Sequence, residues 1–154
     1  MNAAKSFLYF KIFVKNSELC YNVKNNHFLE FSGIQMNCKV TISGAEGENV
    51  TSFGDLSYSK NGFCLAYKIA GDSCVLSVCG GTVTQSRRGS VNTDITFSKG
   101  KNTICMLLSG ELTGSIPVKT VDLYAVKTDS GAIVKIVYFL GGVKINLNLS
   151  AVIQ

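Results

Sequence analysis

From Met36 to the C-terminus, the sequence is a run of short segments in which apolar and polar residues alternate, with turn residues between them. Alternation with a period of two places the apolar side chains of a strand on one face of a sheet. The pattern predicts about eight to ten antiparallel strands, which can close a barrel or build a sandwich. Because the strands follow one another through short loops, we expect an all-β fold and favour an up-and-down β-barrel.

Composition agrees with a single folded domain. The chain of 154 residues is 46% apolar and 16% charged. That apolar fraction can fill a core, and the charged fraction is too low for a disordered chain.

Catalytic residue types are scarce in the predicted barrel. The chain has one histidine, His27, and it precedes Met36. Serine–histidine and cysteine–histidine pairs are therefore excluded from residues 36–154. The carboxylates of the barrel fall mostly at turns or on outward-facing positions, which is typical of a solvated surface and not of a paired acid and base. We expect no enzymatic activity and no cofactor.

The six cysteines do not form a metal-ligand pattern. None belongs to a CxxC pair, and no histidine lies near those of the barrel. A structural zinc site needs such clusters, so we expect no metal. The sequence also lacks a convincing secretory signal. The pattern therefore favours free thiols in a reducing cytoplasm.

Charge limits the classes of partner. The net charge is +5, but the lysines are spread over many predicted strands and Arg87-Arg88 is the only basic cluster of the barrel. A nucleic-acid surface needs a basic patch or stripe, so we expect no nucleic-acid partner. No uncharged apolar stretch reaches the length of about 18 residues that a membrane-spanning helix needs, so we expect no membrane partner. A homo-dimer remains open.

Three two-residue turns set the predicted registers. The turn Asn61-Gly62 is the strongest short hairpin signal, since both central residues tolerate positive φ. It predicts the pairs Lys60–Phe63, Tyr58–Leu65, Leu56–Tyr67 and Asp55–Lys68. Gly80-Gly81 predicts Val78–Val83, Leu76–Gln85 and Cys74–Arg87. Gly141-Gly142 predicts Leu140–Val143, Tyr138–Ile145, Ile136–Leu147 and Val134–Leu149.

The remaining strands are predicted from alternation alone. They are Cys38–Ser43, Val91–Phe97 with Val91, Thr93, Ile95 and Phe97 inward, Asn102–Leu108, and an irregular piece over residues 116–126. Pro117 cannot donate to a ladder, so we expect an edge or a bulge there.

Arg87 is the most informative polar residue of the predicted interior. The Gly80-Gly81 register points it toward the core, where an unpaired charge is costly. Arg87 can close one end of the barrel by pairing with an internal acid. Asp122 is the acid whose position in its strand is compatible with an inward side chain. Arg87 can instead receive an anionic ligand, because a guanidinium binds carboxylate or phosphate through two hydrogen bonds. A bulge at Arg88-Gly89 would instead turn the Arg87 side chain to solvent. The next residue, Arg88, is predicted to point outward, so its substitution should be tolerated.

Other polar side chains are also predicted to point into the barrel. Tyr58, Tyr67 and Tyr138, together with Gln85 and Thr93, would suit a largely apolar site with a few placed polar groups. The candidate ligand-binding residues are therefore Arg87, Tyr58, Tyr67, Gln85 and Tyr138. The alternative is that the tyrosines are core residues whose hydroxyls reach the rim of the barrel.

Several motifs resemble those of a known family. They are Gly54-x-Leu56-x-Tyr58, Asn61-Gly62, Leu65-x-Tyr67, Gly81-x-Val83-x-x-x-Arg87-x-Gly89-x-Val91, Phe97-x-x-Gly100, Gly114-Ser115-Ile116 and the stretch from Gly131 to Tyr138. From Met36 to its end, the chain resembles the YwiB-like bacterial proteins, a domain family of unknown function. The resemblance implies a calycin, or lipocalin-like, β-barrel, and it implies no activity and no functional residues. Between Val118 and Ala125 the spacing departs from the family pattern.

The same resemblance divides the chain into residues 1–35 and a barrel domain of residues 36–154. The first segment is rich in Phe, Lys, Asn and Tyr, whose codons are A/T-rich. We expect an N-terminal extension that stems from a misassigned start or is disordered. An added strand or an amphipathic surface segment is the alternative.

Two functions fit this sequence. The first is a cytoplasmic barrel that binds a small, partly apolar or anionic ligand in its interior. The second is a barrel with a filled interior that acts as a structural, self-association or protein-interaction module. A cavity open at one end would favour the first, and a solid core with an exposed apolar patch would favour the second.

Overall fold

A computed structural model describes residues 34–44 and 49–154. Residues 1–33 of the expected extension, with His27, lie outside the described residues. Within them the chain forms ten strands: β1 Gln35–Ser43, β2 Asn49–Ser59, β3 Gly62–Ile69, β4 Asp72–Cys79, β5 Thr82–Arg88, β6 Asn92–Ser98, β7 Asn102–Ser109, β8 Leu112–Thr128, β9 Gly131–Leu140 and β10 Val143–Ile153.

The strands close an up-and-down barrel, as predicted. Each strand from β2 to β9 pairs with the next in sequence, and β1 closes the ring between β10 and β2. All ten pairings are antiparallel. Closure removes free sheet edges, whose unpaired backbone groups would otherwise attract other strands. Among the described residues, no helix is long and apolar enough to cross a membrane.

The two Gly-Gly turns have the predicted registers. Val78 pairs with Val83 and Cys74 with Arg87. Leu140 pairs with Val143, and the ladder continues to Leu149 opposite Val134. All four glycines have positive φ, between 52° and 85°. Positive φ at both central residues is the type I′ geometry that matches the twist of paired strands.

The β2–β3 register differs from the prediction. Tyr58 pairs with Phe63 and Leu56 with Leu65, so the turn residues are Lys60 and Asn61. Gly62 belongs to β3 because it pairs with Ser59 on one side and with Cys79 on β4 on the other. The predicted Asp55–Lys68 pair is therefore wrong. Opposing residues shift by two positions, which leaves the inward and outward faces unchanged.

Two further predictions need correction. Val91 is 41% exposed and precedes β6, whereas Thr93, Ile95 and Phe97 lie on the inward row. Pro117 lies inside the long strand β8 opposite Ile104, and its carbonyl accepts a hydrogen bond from the amide of Gly141 at 3.0 Å. The register shift falls later, between Thr120 and Asp122. The bulge thus occurs where β8 passes from β7 to its ladder with β9.

The interior of the barrel is filled. Its largest side chains are fully buried, and they include Phe63, Phe97, Leu56, Leu65 and Leu76. Strands β3 and β8 stand opposite each other in the ring, five positions apart in either direction, yet their Cα atoms approach within 8 Å. A round barrel of this strand number would be wider, since diameter grows with the number of strands. The barrel is therefore narrow where β3 and β8 face each other.

Candidate functional site

Arg87 lies at the end of β5, where the predicted register places it. It pairs with the inward Cys74, and 43% of its side chain is exposed. Its Nε donates a hydrogen bond to Oδ2 of Asp72 at 2.7 Å. Asp72 is the first residue of the neighbouring strand β4, so the ion pair joins two adjacent strands at the rim. Arg87 therefore lies at the mouth of the barrel and not inside it.

The predicted partner of Arg87 was wrong. Asp122 accepts a hydrogen bond from Nζ of Lys99 at 2.9 Å, and both side chains are more than 60% exposed. The pKa of Asp122 is lowered by this hydrogen bond and by a backbone hydrogen bond from Leu123. The bulge at β8 displaces Asp122 from the parity that the sequence suggested, because one extra residue reverses the faces.

The absence of a side chain at Gly89 leaves space for the ion pair between Arg87 and Asp72. A Cβ on Gly89 would overlap the carboxylate of Asp72. The amide of Gly89 also donates to Oδ1 of Asn92 at 3.2 Å, which fixes the β5–β6 turn. The Arg87-x-Gly89 motif thus has a packing reason: glycine lets the Asp72 carboxylate approach Arg87.

Tyr67 and Gln85 lie beside this ion pair, as the candidate site requires. Nε2 of Gln85 donates to the Tyr67 hydroxyl at 3.3 Å. The pKa of Tyr67 is raised to about 12, mainly by burial and also by the neighbouring Cys74, while Gln85 and Arg87 oppose the shift. Burial likewise raises the pKa of the Cys74 thiol, against the effect of Arg87. The group formed by Arg87, Asp72, Tyr67, Gln85 and Cys74 is called the rim cluster below.

The Tyr67 phenol makes stability sensitive to high pH. Its pKa is about 12 in the folded chain against 10 in the unfolded chain. The folded state therefore holds this proton more tightly, and the stabilisation is complete below pH 10 and is lost as the pH rises toward 12. We expect the unfolding free energy of Tyr67→Phe to fall less between pH 10 and 12 than that of the unaltered protein. Urea unfolding across this range measures it. Equal slopes for the two proteins would contradict the buried phenol.

Tyr58 lies at the opposite end of the barrel. It shares a row with Phe63, Val78 and Val83, and Val83 is four residues from Arg87 along β5, or about 13 Å at the usual rise per residue. Its hydroxyl donates to the carbonyls of Gly131 at 2.7 Å and Thr128 at 3.1 Å, across the barrel end. Nζ of Lys127 lies 5.8 Å from the centre of its ring. Tyr58 thus closes this end.

Tyr138 is a core residue. It is 7% exposed and makes an edge contact with Phe97, with ring centres 4.7 Å apart. Burial raises the pKa of its hydroxyl. Of the five candidate ligand residues, the structure brings together Arg87, Tyr67 and Gln85, and it places Tyr58 and Tyr138 elsewhere.

Sequence reasoning missed a second arginine–carboxylate pair. Arg88 points to the outer face, as predicted, yet it is 7% exposed. Its Nη2 donates to both oxygens of Asp94, at 2.8 and 3.0 Å, and its Nη1 donates to the carbonyls of Arg87 and Thr93. Ser86 also donates to Asp94, at 2.7 Å. The only signal in the sequence was the pairing of Ser86 with Asp94 that follows from the β5–β6 hairpin.

A shallow depression of about 550 Å³ lies along the β1–β2 seam. It is lined by Asn37, Cys38, Phe53, Gly54, Asp55 and Gln154. Burial and the charge of Asp55 raise the pKa of the Cys38 thiol, which keeps it protonated and unreactive at neutral pH. Within residues 34–44 and 49–154, no cluster of three or more metal-ligating side chains occurs.

Comparisons with known proteins bear on the fold. No protein-family model matches the chain, and no curated protein matches it in sequence. The crystal structure of the ywiB protein from Bacillus subtilis aligns with 78% of this chain and 90% of its own, at a TM-score of 0.62 and 17% sequence identity. This chain has the YwiB barrel fold. At that identity the likeness concerns the fold alone, so no residue role passes from YwiB to the rim cluster.

Proposed function

We propose that this YwiB-like barrel acts through its outer surface, as a self-association or protein-interaction module without catalytic activity. The observation that carries the proposal is the filled interior: β3 and β8 approach within 8 Å across the barrel, and the largest inward side chains are fully buried. A container for a small ligand needs an apolar cavity of several hundred Å³. In this barrel, fully buried side chains such as Phe63, Phe97 and Leu76 occupy the interior instead.

An exposed apolar patch on β7 and β8 supports an interaction surface. Ile104 is 56% exposed and Met106 52%, two positions apart on the outward side of β7. Ile104 pairs with the exposed Pro117 on β8, so the three side chains are neighbours. Contiguous apolar surface of this kind marks interaction sites more often than isolated exposed residues do. We call Ile104, Met106 and Pro117 the β7–β8 patch.

The proposed compartment remains the cytoplasm. The five cysteines of the described residues are all free thiols. Free thiols that pack as small core residues suit a reducing compartment.

Sedimentation velocity over a range of concentrations tests the self-association form of the proposal. We expect the weight-average sedimentation coefficient of the unaltered protein to rise with concentration and that of Ile104→Lys to stay at the monomer value. Asn148→Lys, on the exposed outer side of β10, is the matched control and should behave as the unaltered protein. An unaltered protein that is monomeric throughout would contradict self-association.

A second candidate function rests on the rim cluster. Among the described residues, Nε is the only nitrogen of the Arg87 guanidinium with a hydrogen-bond partner, and 43% of the side chain faces solvent. The two Nη groups could receive one oxyanion at the mouth, without entry into the barrel. Inorganic phosphate should then raise the Tm of the unaltered protein and not that of Arg87→Met. Equal responses would exclude an anion site at Arg87.

A further inference from the structure

Closure of the ring gives every strand two neighbours, but β8 is longer than the ladders on either side of it. Its ladder with β7 covers residues 112–119, and its ladder with β9 covers residues 118–128. The two ladders overlap only near residues 118–120. Among the described residues, each remaining half of β8 therefore has a paired strand on one side and an open edge on the other.

The open edge of the first half faces the side on which β9 joins β8. The carbonyl of Pro117 points to that side, since it accepts a hydrogen bond from the amide of Gly141. Backbone groups of alternate residues in a strand point to the same side, and the register with β7 is continuous over this half. The amide and carbonyl groups of Thr113 and Ser115 therefore face the open edge, whereas those of Gly114 face β7.

The first residues of β8 also project beyond the wall of the barrel. Leu112, Thr113, Gly114 and Ser115 are all exposed, whereas a strand within a barrel wall alternates between exposed and buried residues. Leu112 is 77% exposed. No charged residue lies between Leu112 and Val118. An exposed, uncharged edge of this kind is suited to pairing with a further strand.

The second half of β8 shows how an open edge is protected. It begins after the irregularity at Thr120 and carries the exposed charges of Asp122 and Lys127. The amide of Leu123 already donates to Oδ1 of Asp122 at 3.0 Å, and Nζ of Lys127 donates to the carbonyl of Ser59 at 2.7 Å. Bulges and charged side chains on an edge hinder pairing with other strands. Residues 112–117 carry neither.

The open edge of the first half is complementary to a second copy of itself. In an antiparallel pair centred on Gly114, Thr113 lies opposite Ser115 of the other copy, and these two residues exchange two hydrogen bonds. The two-fold axis repeats the pair, so the two copies form four hydrogen bonds. Leu112 then lies opposite Ile116 of the other copy, which removes the exposed leucine side chain from water.

The flanking charges favour this antiparallel orientation. Glu111 precedes the open edge and Lys119 follows it. Antiparallel pairing brings Glu111 of one copy toward Lys119 of the other, whereas parallel pairing would bring like charges together.

We propose that two copies of this chain pair through residues 112–116 of β8 and form a two-fold dimer whose sheet continues from one barrel to the other. This inference rests on the self-association form of the proposed function and names the contact that it uses. Pro117 of the β7–β8 patch follows this edge directly, so the patch of each copy borders the interface.

Disulfide trapping tests the register. In the proposed dimer the two Gly114 residues face each other as a pair without hydrogen bonds, with Cα atoms about 4.5 Å apart, which is within the range of a disulfide. A Cβ on Gly114 would meet only Leu107, in an ordinary contact at 4.0 Å, so Gly114→Cys should fold. Oxidised glutathione takes up the two electrons and two protons that the two thiols release. We expect Gly114→Cys to form a covalent dimer about tenfold faster than the unaltered protein or Asn146→Cys on the exposed outer side of β10, because pairing raises the effective concentration of the thiols.

Sedimentation velocity of Thr113→Pro tests the hydrogen bonds. Proline removes the amide that faces the open edge and leaves the ladder with β7 intact. Since two of the four hydrogen bonds between the copies are lost, we expect the dimer dissociation constant to rise about tenfold. Thr113→Val keeps the amide and is the matched control. Leu112→Asp changes a side chain that is exposed in the single chain, and it should weaken the dimer even if Thr113→Pro does not fold.

The outcomes separate this inference from the proposed function. An unaltered protein that is monomeric at every concentration would overturn both the pairing and self-association, and would leave the edge to a strand of another protein. Association that Ile104→Lys abolishes would keep the proposed function. If Thr113→Pro and Leu112→Asp then associate as the unaltered protein does, and Gly114→Cys is not trapped, the pairing of β8 is overturned alone.

Discussion

Phe97→Ala should lower the unfolding free energy by about 3 to 5 kcal/mol, the range for truncating a buried aromatic side chain. Phe97 is fully buried, pairs with the buried Val83 and makes the edge contact with Tyr138. Its loss leaves a cavity in the core, and the surrounding strands can close it only by moving out of their ladders. Urea unfolding followed by circular dichroism measures the change.

Thr96→Ala is the matched control for this prediction. Thr96 precedes Phe97 on β6, and its side chain is exposed on the outer face. We expect its effect to stay within about 0.5 kcal/mol, as for other surface substitutions. Comparable effects at the two positions would mean that the faces of β6 are reversed.

Asp94→Ala should be the most damaging change on the outer face, with a loss of about 3 kcal/mol. The Arg88 guanidinium is nearly closed from solvent and reaches both carboxylate oxygens of Asp94 through Nη2. Alanine removes the charge that balances this buried cation, together with the acceptor of Ser86. The value is at the lower end of the range for buried pairs because 46% of the Asp94 side chain is exposed.

Asp122→Ala provides the comparison for Asp94→Ala. Its partner Lys99 and Asp122 itself are both exposed, so water replaces the lost contact. Thermal unfolding should show no change in Tm for Asp122→Ala and a clear decrease for Asp94→Ala. A stable Asp94→Ala variant would contradict the structural role of the Arg88–Asp94 pair.

Local turn chemistry explains where sequence reasoning succeeded. Gly80-Gly81 and Gly141-Gly142 each adopt positive φ at both positions, and the registers that follow from them are confirmed. At Asn61-Gly62 the same reasoning misplaced the turn by one residue. Gly62 is held in β3 by its pairing with Cys79 on β4, which a rule for a two-strand hairpin does not include. The turn Ala70-Gly71 gave no signal, because alanine rarely adopts the positive φ of 49° seen at Ala70.

The candidate site was predictable only in part, for reasons of geometry. Strand parity placed Arg87, Tyr67 and Gln85 on one face, and register brought them together. Parity does not give depth along the barrel, so Tyr58 at the opposite end and Tyr138 in the core were grouped with the residues of the rim. It also treats an outward residue as exposed, which is wrong for Arg88. Strand alternation does not encode the contacts of Arg88 with Asp94 and with the carbonyls of Arg87 and Thr93.

We infer that the interior of the barrel is filled and takes up no ligand. A fluorescence titration with 8-anilinonaphthalene-1-sulfonate tests it most directly, because this probe is apolar and anionic like the ligand that a hollow barrel with Arg87 at its mouth would take. If the interior is filled, any emission from probe on the exposed β7–β8 patch should be the same for the unaltered protein and for Leu76→Asn. Saturable binding of one probe per chain, weakened in both Arg87→Met and Leu76→Asn, would place a ligand inside the barrel and contradict the account.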